Sequence, residues 1–362
     1  MQRSYSLLSK ALLWKDYPCA RLVTINREKA LNAMNLEMVK AMKQAYVHEP
    51  HTKGDAALYV LKGAGSKSFC SGGDIISVTK DNNIAKEFFY EEYQMDYHIL
   101  TMPNPQVSLW NGYVMGGGVG VSIHGRYRVA SERALFAMPE TAIGLFPDIG
   151  ASWFLPRLSF PGLGLYLGLT GARLKGADLA QVGLATHFVP SEHFERLEER
   201  LCNINDPAEV EACLAEFAVK KLPPFSLETH RKTLENVFTL KDTTTVEGIL
   251  DALAADGSDF AKATIATINS MSPTSLCVAL EMQKRGYKAK DPADIFHSDY
   301  SAALRSCANP DFAEGVRALL VDKTKDPKWK PTRVADVTPE YVEAYFKPVS
   351  PDSRQWHPTA PY

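Results

Sequence analysis

The chain has 362 residues, 45% of them hydrophobic and 23% charged, a balance that supports one large core or two smaller ones and excludes disorder as the default. A formal net charge of −2 gives no general attraction to nucleic acid, and no apolar run reaches the ~18 residues of a membrane span. The six cysteines, at 19, 70, 202, 213, 277 and 307, form no CxxC pair and the nine histidines no HExxH, so neither a metal site nor a disulfide framework is indicated, and a reducing compartment is expected.

The N-terminal MQRSYSLLSKALLWK carries Arg3, Lys10 and Lys15, several serines and no acid before Asp16. That is the composition of a mitochondrial transit peptide and equally of an ordinary basic tail, since the first strand begins near Ala11. ALLWKDYP and CARLVTIN read as two short strands, followed by a helix from about Asn35 to Tyr46 and a further strand in AALYVLKG. A glycine pair, Gly72 and Gly73, comes next in KSFCSGGDI. In IAKEFFYEEYQMDYHIL, Phe88, Glu92, Met95 and Ile99 fall at i, i+4, i+7 and i+11, which sets Glu92 on the apolar stripe of a helix. A carboxylate there is costly unless it is paired, faces a polar cavity or reaches solvent from the stripe edge.

The most informative stretch follows. The strand VSLWNGYV turns into the helix GVSIHG through Gly116, Gly117 and Gly118, so a ligand can approach backbone N–H groups at a helix start. Gly73 can supply a second N–H, and two such donors are what acyl-group chemistry needs when charge develops on a carbonyl oxygen. The apolar run ALFAMPETAIGLFPDIG then holds two acids, Glu140 and Asp148. Taken singly, each glycine cluster fits a tight turn, Glu140 fits a cap and Asp148 after Pro147 fits a turn pair. Their co-occurrence favours a reaction site. From about Ser191 the pattern becomes helical, in HFERLEERLCNI, DPAEVEACLAEFAVKKL, SLETHRKTLENVFT and TVEGILDALAADGSDFAKATIATINSM, with breaks at Pro207, Pro223 and Pro273. Prolines accumulate after Lys347.

On these motifs the segment from about Leu12 to Pro331 resembles the crotonase superfamily of acyl-CoA enzymes. The resemblance implies an α/β fold, a spiral of strand-strand-helix units with a helical C-terminal region, divided here as residues 11–200 for the acyl-CoA-binding core, 201–347 for the helical region and 348–362 for a loose tail. It maps the two oxyanion donors onto Gly73 and Gly117. Hydratases of the superfamily carry a glutamate three residues after the second donor and another twenty residues further on; here the first position is Gly120 and the second Glu140. That departure, together with Asp148 and the block DFAEGVRALLVDKTKDPKWKP, is similar to the superfamily's thioester hydrolase branch, which releases CoA from short branched β-hydroxyacyl thioesters in valine breakdown. The resemblance then implies that Glu140 is either nucleophile or general base, and that Asp148 with Glu92 holds the 3-hydroxyl or takes part in proton transfer. It places the CoA moiety near Arg27, Ala30, Leu31, Lys67 and Ser71, although Arg27 and Lys29 equally fit solvated loop charges. CoA is part of the substrate, so no separate cofactor is expected, and no nucleic-acid or membrane partner. The matrix location is favoured over the cytosol, and the oligomeric state stays open from monomer to trimer or hexamer. The rival readings are a hydratase or isomerase and a non-catalytic CoA- or RNA-binding relative.

Overall fold

The computed structural model describes residues 10–46, 56–348 and 354–358; the first nine residues of the segment that reads equally as a transit peptide or a basic tail lie outside them. Strands β1 (Leu12–Asp16) and β2 (Ala20–Ile25) form an antiparallel hairpin. The following strands come in pairs: β3 (Leu58–Gly63) with β4 (Ser68–Cys70), β5 (Gln106–Trp110) with β6 (Tyr113–Met115), β7 (Tyr127–Ala130) with β8 (Leu135–Ala137). The first member of each pair enters a six-stranded sheet of order β1-β2-β3-β5-β7-β10, closed by β10 (His187–Phe188). The second enters a four-stranded sheet, β4-β6-β8-β9, where β9 is Leu174–Lys175. Within each sheet these repeats pair in parallel, so the chain advances as a spiral of strand-strand-helix turns, as the crotonase resemblance implies.

Alternate residues of the six-stranded sheet face two apolar layers. Leu22, Leu58, Val60, Val107 and Leu109 meet Phe194, Leu197 and Leu214 on one side, whereas Val23, Tyr59, Leu61 and Trp110 face the main core. Burial on both faces explains why these strands read as near-continuous apolar runs. Helix α1 (Leu36–Tyr46) and helix α2 (Asn82–Thr101) pack on the inner layer. Asp81 caps α2 by accepting from the Asn83 N–H at 2.7 Å, and all four stripe positions, Phe88, Glu92, Met95 and Ile99, are buried. The short helix α3 (Gly117–Ile123) follows β6 directly.

The boundary expected near residue 200 falls inside helix α4 (Phe194–Cys202), which covers the outer sheet layer with α5 (Val210–Phe217). Beyond it, TVEGILDALAADGSDFAKATIATINSM is broken at Gly257, whose φ of +66° ends one helix before Ser258 caps the next through the Ala261 N–H. The main core is shared across the boundary: Phe296 and Tyr300 of helix α6 (Pro292–Ala308) belong to the same cluster as Phe88 and Tyr93. Within the segment expected to be a loose tail, residues 354–358 are docked. Trp356 is 1% exposed, stacked on Phe296 at 5.7 Å and edge-on to Tyr97 at 5.5 Å. Burying an indole among aromatics offsets the entropy of ordering a few residues, and proline content alone could not reveal that partner surface.

Candidate active site

Two backbone segments set the geometry. After β4, Gly72 accepts from the Met34 N–H at 2.9 Å and Asp74 donates to the Met34 carbonyl at 2.6 Å. This bridge turns the Gly73 N–H to the opposite side, towards α3. Gly117 is the first residue of α3, where a helix leaves its N–H without an intrahelical acceptor. The Gly73 nitrogen lies 3.4 Å from the point where a Cβ on Gly117 would sit. The two backbone N–H groups therefore lie close together, as an oxyanion site would need, and Gly116, with φ +46° and ψ −127°, makes the turn that brings α3 there.

Two acids lie against this turn, and a third is within electrostatic reach of both. Glu92 comes from α2; a Cβ on Gly117 would fall 2.2 Å from its Oε1. Glu140 opens a 3-10 turn, Glu140–Ile143, and its Oε1 is 3.0 Å from the Cβ position of Gly116. Asp148 accepts from the Tyr93 hydroxyl at 2.6 Å. All three are buried, and one oxygen each of Glu92 and Glu140 has no hydrogen-bond partner among the described residues. Burial pushes the Asp148 carboxyl up to about 6 despite the Tyr93 bond. Glu140 is raised well above the usual carboxylate range by burial and then by Asp148, and Glu92 by burial, Asp148 and Glu140. Three like charges this close together in a buried site cannot all persist, so the cluster holds protons near neutrality.

Several residues of this wall carry no motif. Tyr93 directly follows Glu92 on α2, and Asp96 stands one turn beyond Glu92. The segment after Asp148 places Ile149 at φ +54° and Gly150 at φ +76°, and a β-branched residue in the left-handed region is strained. Two distant side chains hold it. His124 Nε2 donates to the Ile149 carbonyl at 2.8 Å, and Asp299 of α6 accepts from the Gly150 N–H at 2.7 Å. Burial, despite the Ile149 bond, lowers the His124 ring to about 4, so it is neutral; because a carbonyl only accepts, its proton is on Nε2. No sequence spacing links α6 to this loop.

The C-terminal block from Asp311 braces Glu140. The Thr141 carbonyl accepts from the Ser272 N–H at 3.1 Å, and Ser272 Oγ donates to Asp311 at 2.7 Å, which also accepts from the Lys330 N–H at 2.7 Å. Gly144 and Gly315 let the two segments touch: Cβ atoms there would lie 2.3 Å from the Asp311 carbonyl oxygen and 2.4 Å from Ile143. Cys70, near the donor loop, is fully buried and burial pushes its thiol up to about 12. A thiol so far from ionisation is unsuited to be the nucleophile.

The expected CoA-contact residues lie on two facing loops. Asn32 donates to the carbonyls of Ala64 (2.9 Å) and Ser68 (2.7 Å), and the Ser71 N–H donates to Leu31 at 3.1 Å. Ala30 and Leu31 end a 3-10 turn on this rim, and Lys67 is exposed. Arg27 is already engaged: it donates to Asp74 at 2.8 Å and to the Ala33 carbonyl at 2.9 Å, so it ties the first loop to the residue after Gly73.

The raised Asp148 has a stability consequence. Its folded-state carboxyl, at about 6 against an ordinary 3.8, contributes stability that is fully present below the unfolded value and lost as pH rises through the folded one. At neutral pH the ionised group therefore costs about 2–3 kcal/mol. Asp148→Asn is expected to raise stability by that order at about pH 7.5 and by little at about pH 4, read from urea melts. Equal effects at both would show that Asp148 is not the titrating group.

Comparison with known proteins identifies the family. The enoyl-CoA hydratase/isomerase family model matches residues 20–346. A Xenopus tropicalis protein named 3-hydroxyisobutyryl-CoA hydrolase, mitochondrial, is 43% identical over 342 residues, covering 91% of this chain and 86% of its own length. Its namesakes in Homo sapiens, 41% identical over 94% of this chain and 89% of theirs, and Dictyostelium discoideum, 39% over 96% and 94%, are similar. Among solved structures, a carnitinyl-CoA dehydratase from Mycobacterium thermoresistibile superposes with TM-score 0.87 at 34% identity over 95% of this chain and 98% of its own. The strand-strand-helix spiral and these matches along nearly the whole chain show that the protein belongs to the enoyl-CoA hydratase/isomerase family.

Proposed function

We propose that this chain hydrolyses the thioester of 3-hydroxyisobutyryl-CoA, or a similar short β-hydroxyacyl-CoA, to the hydroxy acid and CoA, in valine breakdown. The observation that carries this reading is the placement of two buried acids, Glu92 and Glu140, against the Gly116–Gly117 turn, with a third, Asp148, within electrostatic reach of both, in a chain whose relatives bear the hydrolase name. Those relatives are named mitochondrial, and the same compartment is proposed here.

In this mechanism the thioester oxygen accepts from the Gly73 and Gly117 N–H groups, which stabilise the charge that develops as the carbonyl carbon is attacked. Glu140 either takes a proton from the attacking water or attacks the carbon itself to give an anhydride that water then opens. In both routes the C–S bond breaks and the thiolate takes up a proton. Burial raises the Glu140 carboxyl, which makes it a better proton acceptor near neutrality than an exposed glutamate. Asp148, oriented by Tyr93, and Glu92 hold the 3-hydroxyl. CoA lies along the rim formed by Ala30, Leu31, Lys67 and Ser71, with Arg27 fixing the loop. No further cofactor takes part.

The deciding experiment follows free thiol from 3-hydroxyisobutyryl-CoA with crotonyl-CoA alongside. Thiol release supports hydrolysis; loss of the enoyl absorbance without thiol release would move the chain to the hydratases. Within the hydrolase reading, Asp148→Asn is expected to lower kcat/KM for 3-hydroxyisobutyryl-CoA much more than for isobutyryl-CoA, because a hydrogen bond to a charged group is worth about 1.5–3 kcal/mol and isobutyryl-CoA has no hydroxyl to hold. Equal proportional losses would assign Asp148 to proton transfer and leave hydroxyl recognition to Glu92.

A further inference from the structure

One buried acid has no part in that mechanism. Asp96 follows Glu92 by one turn of α2, is fully buried, and neither carboxyl oxygen has a hydrogen-bond partner among the described residues. The groups that face it are Glu92 on its own helix, Asp148 in the strained loop and Asp299 on α6. Tyr93 and His124 complete the wall, bonded to Asp148 and to the Ile149 carbonyl.

The fit of Asp96 is specific. Glu92 and Asp96 are four apart on α2, and they seat against Gly117 and Gly120, three apart on α3. A Cβ on Gly117 would fall 2.2 Å from Glu92 Oε1, and one on Gly120 would fall 2.6 Å from Asp96 Oδ2 and 2.9 Å from the Ile149 Cβ. Residues at these spacings share a helix face, so two acids on one helix enter two glycine notches on the other. Leucine has nearly the shape of aspartate and no polar atoms to desolvate, so it would fill the second notch at lower cost. An acid that lowers stability, matched by a glycine on a separate element beside a reaction centre, is the pattern of a group retained for chemistry.

Resting on the hydrolysis reading above, we infer that Asp96 is a positioning residue: a neutral carboxylic acid whose O–H donates to the Glu92 carboxylate and holds it, ionised, towards the substrate hydroxyl. Burial together with the facing acids raises the Asp96 carboxyl well above the usual range, which favours its neutral form. A donor on Glu92 favours its ionised form. Removing that donor therefore shifts the acidic limb of the pH–rate profile to higher pH.

The test compares three variants of the full chain. Asp96→Leu is expected to melt at higher temperature yet lose about tenfold or more in kcat/KM for 3-hydroxyisobutyryl-CoA, with the acidic limb raised. Asp96→Asn, whose amide N–H replaces the donor, is expected to restore most of that loss. Gly120→Ala, which crowds the acid without removing it, should lose activity as Asp96→Leu does, and it keeps the test decisive if the leucine variant fails to fold. Infrared difference spectra at neutral pH should show a protonated carboxyl band that both Asp96 variants lack. An Asp96→Leu enzyme with wild-type kcat/KM and limb would overturn the inference. So would an Asp96→Asn limb moved to lower pH, or loss of a carboxylate band instead, since either means that Asp96 is ionised. A wild type that releases no thiol would defeat the hydrolase reading, and the infrared band would still decide the state of Asp96.

Discussion

Glu140→Gln is expected to bind acyl-CoA normally while releasing thiol at least ~10²-fold more slowly, the scale of a lost general base. The amide preserves the size of the side chain, and the turn that carries it is fixed independently of the carboxyl, by the Ser272 N–H bond to the Thr141 carbonyl and by the contact of Gly144 with Asp311. Binding and fold should therefore survive. Glutamine can neither accept the proton of water nor attack the thioester carbon, so both routes open to Glu140 are closed together. Binding is read by calorimetry with a non-hydrolysable acyl-CoA and turnover by thiol release. A folded Glu140→Gln enzyme with near-normal turnover would remove Glu140 from the chemistry.

Gly117→Val is expected to cost ~10²-fold or more in kcat, the scale seen when one oxyanion donor is lost. The structure makes this substitution act twice. A Cβ at position 117 would stand 2.2 Å from Glu92 Oε1 and 3.4 Å from the Gly73 nitrogen, so the side chain both displaces Glu92 and fills the space between the two donors. A mutant cycle separates the effects. In a Glu92→Ala background the carboxylate is gone, and any loss that Gly117→Val still adds belongs to the oxyanion site. If Gly117→Val added nothing there, its effect in the wild type would be the displacement of Glu92. Alternatively, a crystal structure with an acyl-CoA analogue whose thioester oxygen lies beyond hydrogen-bond reach of both N–H groups would refute the donor assignment.

Both substitutions act on residues that local sequence rules could reach. The stripe Phe88, Glu92, Met95, Ile99 predicts a helix with an acid on its buried face, and that follows from helical spacing alone. The glycines at 72–73 and 116–118, each after an apolar run, predict turns where a backbone comes close to something, because glycine is the residue that permits such approach. The resemblance converts those turns into donors and Glu140 and Asp148 into acids of a reaction site. These features are local: each depends on residues within a turn or two of one another.

What the sequence left undetermined is non-local. The docking of Trp356 depends on Phe296 and Tyr97, and the break at Gly257 depends on φ +66° beside a capping serine, a glycine use that periodicity does not distinguish from a tolerated helical glycine. The partners of Asp148 are equally hidden. Tyr93 is 55 positions away, and Asp299, which holds the loop at Gly150, is 149 positions from its partner. Asp96 looks like one more helix residue until α3 presents Gly120 to it. Local propensity and pattern follow from the chemistry of neighbouring residues, and the sequence by itself determined the elements, the glycine turns and the candidate acids. The protonation of those acids, the bracing of Glu140 by the block after Asp311 and the matching of acids to glycine notches depend on burial and on side chains from distant segments, and only the tertiary structure decided them.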